Sequence, residues 1–169
     1  MQVAIITGAG SGIGLATARM LHDTGMAVVG IGRDPAKLKA LEETIGHPER
    51  LVALAVDITA KDAPKLIVDQ ALERFGRIDF LVNNAGIGSP KPLHETDDDT
   101  LDHFLDIMLR APFRLARDVI PHMQAGSGEG RIEVAHRAHG LRIWPIGHPL
   151  ELRGARRHHD RHGAPSLRG

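Results

Sequence analysis

Four short apolar runs punctuate the first half of the chain: VAIIT (3–7), AVVGI (27–31), LVALAV (51–56) and DFLVN (79–83). Each is too short for a helix, is apolar at consecutive positions and is bounded by Gly, Asp or Asn, which is the pattern of strands buried on both faces of a parallel sheet. Between them the period lengthens to that of a helix. Residues 12–25 place Ile13, Ala16, Met20 and Leu21 on one predicted apolar face and stop at Gly25. Residues 34–46 open with Asp34 and Pro35, a cap followed by a first-turn proline, and close at Gly46. Residues 62–76 carry a stripe of Leu66, Ile67, Ala71, Leu72 and Phe75, and residues 97–123 form a longer helix predicted to bend near Pro112. A fifth strand is predicted at RIEVA (131–135). Strands alternating with helices of this size predict an α/β fold with a doubly wound parallel sheet, a Rossmann fold, over residues 1–132.

Composition adds a boundary to that picture. The 169 residues carry 21 basic and 21 acidic side chains, so no global field draws the chain to nucleic acid or to an anionic membrane. The balance is local, however. From Arg131 to Gly169 there are eight Arg, six His, no Lys and only three acids, Glu133, Glu151 and Asp160. This segment, 133–169, is read as an atypical Arg/His-rich, poorly ordered tail. There are no cysteines, hence no disulfide or thiolate metal site. After Met1 the chain goes straight into QVAIITG (2–8) without a charged n-region and cleavage site, and no apolar run reaches about 18 residues, which predicts a soluble cytoplasmic protein with no membrane partner.

The chemistry begins right after the first strand, where TGAGSGIG (7–14) opens the first helix. Gly8 permits a tight turn, Gly12 lets the backbone approach a pyrophosphate, and Gly14 permits close packing of helix and strand; the phosphates then rest on free N–H groups at the helix start. A flexible turn would be the plain alternative, but the strand on one side and the helix on the other supply the context that a dinucleotide loop needs. The end of the second strand is where an acid would bind a ribose 2′-OH or an Arg would accommodate a 2′-phosphate. Here GIGRD (30–34) puts Gly32 and then Arg33 there, which favours NADP(H) over NAD(H); Arg33 as a solvated loop charge and Asp34 as a helix cap remain the alternatives.

The spacing Gly8, Gly12, Gly14 resembles the T-G-x-x-x-G-x-G loop of the classical short-chain dehydrogenase/reductase family. Two further segments carry the resemblance: NNAG (83–86) after the fourth strand, and VDIT (56–59), similar to the family's D-[VI]-T after the third. It covers residues 1 to about 132. The resemblance implies cofactor contacts from Thr7, Gly8, Ser11, Gly12, Ile13, Gly14 and Arg33. It also implies that Asp57 accepts from the adenine amino group with Ile58 beside the ring, and that Asn84, Ala85 and Gly86 line the adenosine ribose, with Asn84 also holding the central strands. A cap for the next helix is the alternative for Asp57, and the two roles are compatible. The implied reaction is hydride transfer between NAD(P)(H) and a carbonyl or secondary alcohol.

The family's catalytic residues have no counterpart. It uses a Tyr and Lys in Y-x-x-x-K, a Ser on the fifth strand and an Asn in the fourth helix, whereas this sequence has no tyrosine at all. Met108 of MLRAPF (108–113) stands where the family has Asn, His136 and Arg137 stand near the expected serines, and LELRG (150–154) fills the Y-x-x-x-K window. No catalytic residue is assigned. His136, His139 and His148 titrate in a useful range but lie in an Arg-rich stretch, where a solvated role is the simpler one. His158 and His162 have helical spacing, but Arg156, Arg157 and Arg161 would repel a cation, so no metal site is expected. Trp144 is the sole aromatic that would stack a base in this tail, which argues against nucleic acid.

A shift of reading frame explains the tail better. RRHHD encoded as CGC CGT CAT CAT GAC becomes Ala-Val-Ile-Met when the frame moves by one base, an apolar stretch of the sort expected in the helix after the family's catalytic motif. Residues from about 133 are therefore expected to be a frameshifted, prematurely ended product. The expected protein is an oxidoreductase by ancestry and impaired in turnover; the alternative is an inactive nucleotide-binding remnant. Its partners would be a dinucleotide and, if it is active, a small alcohol or carbonyl compound. The family homo-oligomer, built through the fourth and fifth helices, would be compromised by loss of the far edge of the sheet, leaving a marginal or aggregation-prone chain.

Overall fold

A computed structural model describes residues 1–88, 92–126, 131–134 and 142–145. The strands are β1 (Val3–Thr7), β2 (Ala27–Gly32), β3 (Leu51–Ala55), β4 (Phe80–Asn83), β5 (Arg131–Val134) and β6 (Arg142–Pro145). The helices are α1 (Gly12–Asp23), α2 (Pro35–Ile45), α3 (Ala63–Phe75), α4 (Asp98–Leu105) and α5 (Ala111–Gly126). They form one sheet in the order β3-β2-β1-β4-β5-β6. All pairings are parallel except the last: β6 runs antiparallel to β5, with Ile132 opposite Trp144. An antiparallel edge strand on a parallel sheet is a common variation, and here it falls inside the segment that composition had set apart as a tail.

Why β1 and β2 read as unbroken apolar runs is clear from their two faces. Successive side chains point to opposite sides of a strand, so Val3, Ile5, Ala27, Val29 and Ile31 join one core with Ile67, Val68 and Ala71 of α3 and Leu115, Val119 and Met123 of α5. Ala4, Ile6 and Val28 join the other with Ala18 of α1 and Leu38, Leu41 and Ile45 of α2. Every residue of β1 is buried. Helices on both faces and the reversal of strand order at β1 and β4 complete the Rossmann topology, with a crevice at the carboxyl ends of these central strands.

Three details depart from the sequence reading. Of the predicted face of α1, Ile13 and Met20 are 60% and 59% exposed and Ala16 is also exposed. The helix instead buries Gly14, Ala18 and His22; at Gly14 the helix approaches the glycine loop so closely that a side chain would not fit. Leu66 in α3 is likewise exposed, while Ala63 and Pro64 are buried. The long helix runs on through Pro112, with a single π-helical turn just ahead of it at Asp106–Arg110 whose closing bond runs from the Ala111 amide to the Asp106 carbonyl. Proline lacks the N–H of a regular helical bond and its ring crowds the preceding turn, and widening that turn accommodates it.

At the end of α1 remote from the glycine loop, His22 is 2% exposed and stacks on His47, with ring centroids 5.6 Å apart. Burial, then the Arg50 and His47 charges, hold its pKa below the ordinary 6.5, against smaller opposing contributions from Asp23 and Glu49. The folded form thus prefers neutral His22. Below about pH 6.5 the unfolded chain binds a proton that the folded chain resists, so stability is present above that pH and is lost as pH falls through the lowered value. Thermal melts of His22→Leu should therefore lose less stability than wild type between pH 7 and 5; parallel pH profiles would remove His22 as the cause.

Candidate functional site: a cleft at the strand ends

A cleft of about 840 Å³ opens at the carboxyl ends of the central strands. It is walled by the loop from β1 to α1, the turn from β2 to α2, the segment after β3 and the segment after β4. Four separate chain segments meet there because each parallel strand ends on the same side of the sheet.

The glycine loop provides its most specific chemistry. Gly8 and Gly12 adopt φ of +69° and +55°, a left-handed conformation that favours glycine. Gly14 is required for a different reason: a Cβ there would stand 2.2 Å from the Gly8 carbonyl oxygen and 2.4 Å from Asn84 Nδ2. A Cβ at Gly12 would meet nothing within 4 Å, so this backbone faces open space. The first helical bond of α1 is donated by the Leu15 amide to the Ser11 carbonyl. The amides of Gly12, Ile13 and Gly14 precede it and have no partner within the helix. Ser11, in an extended conformation, makes no side-chain cap to them. In α2 the cap is filled, since Asp34 Oδ1 accepts from the amides of Ala36 and Lys37 at 3.0 and 3.4 Å.

Thr7 and Asn84 tie the loop to the fourth strand. Thr7 Oγ1 accepts from the amides of Asn84 and Ala85, each at 3.0 Å. Asn84 Nδ2 donates to the carbonyls of Thr7 and Gly8 at 3.0 and 3.3 Å. Buried Thr7 thus stands behind the cleft wall, as does Gly14. The other residues singled out in the sequence, Gly8, Ser11, Gly12, Ile13, Arg33, Asp57, Ile58, Asn84, Ala85 and Gly86, all line the cleft.

Asp57 does not cap α3; that helix begins at Ala63 after Asp62. Its Oδ1 instead accepts from the Thr59 amide at 2.9 Å and the Thr59 hydroxyl at 2.8 Å, closing the turn that follows β3. The Thr59 amide bond is the main reason its carboxyl titrates below the usual range, with the Thr59 hydroxyl and the Arg33 charge acting in the same direction. Asp57 is therefore a fixed carboxylate on the cleft wall at neutral pH.

Sequence reasoning missed several lining residues, namely Gly10, Ile31, Lys37, Val56, Ile87 and Ile107, and read Asp34 only as a helix cap. Lys37 is the consequential one. It reads in sequence as a solvated charge three residues into a helix, and only the packing of α2 against the glycine loop brings it to the cleft. Met108 is partly buried beneath the segment after β4, its Cε 4.0 Å from where a Cβ on Gly86 would lie. A thioether there is at most a weak hydrogen-bond acceptor. His136, Arg137, His139, His148, His158 and His162, and the stretches 150–154 and 154–163, lie outside the described residues. Among the described residues, no three His, Asp or Glu side chains are grouped to hold a metal, and no helix is long and apolar enough to cross a membrane.

The sequence pattern of the short chain dehydrogenase family matches residues 2–138. The chain belongs to this family. It is 41% identical over 133 residues to a cis-4-hydroxycyclohexanecarboxylate dehydrogenase of Sinomonas cyclohexanicum, a match covering 75% of this chain and 52% of that enzyme. Among solved structures, a metagenomic short-chain oxidoreductase in complex with NADP is 39% identical and superposes with a TM-score of 0.71 over 78% of this chain and 60% of that one. The 3-ketoacyl-(acyl-carrier-protein) reductase of Brucella melitensis complexed with NADH is 35% identical with a TM-score of 0.69, over 73% of this chain and 51% of that one. This chain spans about half the length of the curated relatives it matches.

Proposed function

We propose that the cleft binds a nicotinamide dinucleotide and prefers NADP(H), in a protein whose lineage transfers hydride between that cofactor and a carbonyl or secondary alcohol. The observation that carries this reading is the start of α1, where three amides have no helical partner, Gly12 and Ile13 line the cleft and the side-chain-free Gly12 faces open space. Such a helix start is suited to an anion, and a cleft of about 840 Å³ is in the range that small-molecule ligands occupy. The related structures with NADP and with NADH support a dinucleotide of this class.

Gly8, Ser11, Gly12 and Ile13 would hold the pyrophosphate, with Thr7 and Gly14 shaping the loop behind it. Asn84, Ala85 and Gly86 would border the ribose, and Asp57 and Ile58 the adenine. Arg33 would face the 2′-phosphate, because no acid occupies the position of Gly32 to select a ribose hydroxyl. When bound, the cofactor supplies or accepts hydride at its nicotinamide ring. What these residues themselves do is bind and orient.

A second reading, binding without turnover, is favoured by one sequence fact: none of the 169 residues is tyrosine. Met108 offers no substitute for a proton-relaying side chain. NADPH fluorescence on the purified chain, followed by turnover assays on a panel of alcohols and ketones, separates the two readings. Saturable fluorescence enhancement with no turnover is expected for this chain; turnover on any member of the panel would contradict the impairment. We attribute the Arg/His-rich sequence from about residue 133 to a shift of reading frame, which the nucleotide sequence of codons 130–170 decides. We place the protein in the cytoplasm, its family oligomer weakened.

A further inference from the structure

We infer that Lys37, together with Arg33, recognises the 2′-phosphate of NADP(H), and that Asp34 is disabled as a ribose-binding acid by the capping of α2. The inference rests on the NADP(H) reading above and goes beyond it by naming a second specificity-determining residue and the reason a neighbouring acid does not oppose it.

Three observations converge. First, Arg33, Asp34 and Lys37 all line the same part of the cleft, where β2 passes into α2. Second, the Lys37 stem is held there by packing: a Cβ on Gly10 would come within 2.9 Å of Lys37 Cβ, so the first turn of α2 rests directly on the glycine loop. The ammonium can swing about this anchored stem, and at 59% side-chain exposure it is free to reach a ligand. Third, both acids of this region are already engaged. Asp34 Oδ1 accepts from two amides of its own helix, and its Oδ2 lies 4.0 Å from Lys37 Nζ. Asp57, in the segment after β3, has its Oδ1 bound by the Thr59 amide and hydroxyl.

An acid that selects NAD(H) must offer free carboxylate oxygens to two ribose hydroxyls. Asp34 has one oxygen committed to α2 and the other facing a cation, and it stands one residue beyond Arg33. A dianionic phosphate would instead compete with Asp34 for Lys37, exchanging a long, exposed ion pair for a charge-assisted hydrogen bond, which is the stronger interaction. Arg33 and Lys37 would then approach the phosphate from two sides, one from the strand end and one from the helix.

The test measures NADPH, NADH, 2′,5′-ADP and 5′-AMP affinities of wild type, Lys37→Gln, Lys37→Arg and Arg33→Ala, at low and at high salt. Wild type should favour NADPH over NADH. Lys37→Gln should lose about fivefold in NADPH and 2′,5′-ADP affinity, with NADH and 5′-AMP unchanged; unchanged NADH binding also shows the variant folds. The loss should shrink at high salt, and Lys37→Arg should restore most of the affinity. If Arg33→Ala abolishes the preference while Lys37→Gln leaves it intact, the role of Lys37 is overturned and the NADP(H) reading survives. If wild type binds NADPH and NADH equally, both fail.

Discussion

Gly14→Ala should destabilise the protein by about 3 kcal/mol and abolish dinucleotide binding. Two effects compete at this position, and their signs differ. Alanine is the better helix former by about 1 kcal/mol, so the location of Gly14 inside α1 would by itself predict stabilisation. The added methyl, however, would stand 2.2 Å from the Gly8 carbonyl oxygen and 2.4 Å from Asn84 Nδ2. Neither neighbour is the loose end of a flexible side chain. Gly8 is fixed in a left-handed turn, and Asn84 is bonded to the carbonyls of Thr7 and Gly8. Relief requires moving α1 off the loop, which would break the link to β4 and displace the amides at the helix start. A denaturant titration reads the effect: a lower midpoint supports the contact, whereas a higher one would mean that helix propensity wins.

The second large effect is one of binding without a loss of fold. Ser11→Asp places a carboxylate at the start of α1, where Ser11 makes no side-chain cap. The same residue type already caps α2 through Asp34, so the substitution should stabilise the helix slightly, by roughly 0.5 kcal/mol through capping and the helix dipole. Ser11 also lines the cleft. A fixed negative charge beside a pyrophosphate would cost about 2 kcal/mol at the effective dielectric of a protein surface, or roughly thirtyfold in affinity. Stability and binding should thus move in opposite directions, which a general unfolding effect cannot produce.

The sheet was legible because its central strands are buried on both faces. A run such as VAIIT has few other places to go, and β1 forms over the same five residues. The cap of α2 was legible as well, since Asp34, Pro35 and Gly46 each signal a boundary by local chemistry alone. The apolar face of α1 was not. At Gly14 the helix approaches the glycine loop too closely for a side chain, and it buries Gly14 and Ala18 rather than Ile13 and Met20. The π turn before Pro112 was hidden too, because proline marks the disturbance while the bond that absorbs it closes upstream, at Asp106.

Within the site, the glycines and the segment after β4 announced themselves by motif, and Lys37 did not. Its contribution depends on α2 resting against Gly10, a contact between residues 27 positions apart that neither segment reveals alone. Asp57 illustrates the converse. The spacing of Asp57 and Thr59 is the signature of a side-chain-closed turn, and that signal would have removed the cap of α3 as the alternative to its place at the adenine.

The central claim is that the start of α1 is an anion site for a dinucleotide. Titration of NADPH fluorescence on the full chain, wild type beside Ser11→Asp, with melting temperatures measured on the same samples, tests it most directly. Saturable binding to wild type, with at least about tenfold weaker binding to an equally or more stable Ser11→Asp, is the predicted result. Equal binding to both folded proteins, or no saturable binding to folded wild type, would contradict it.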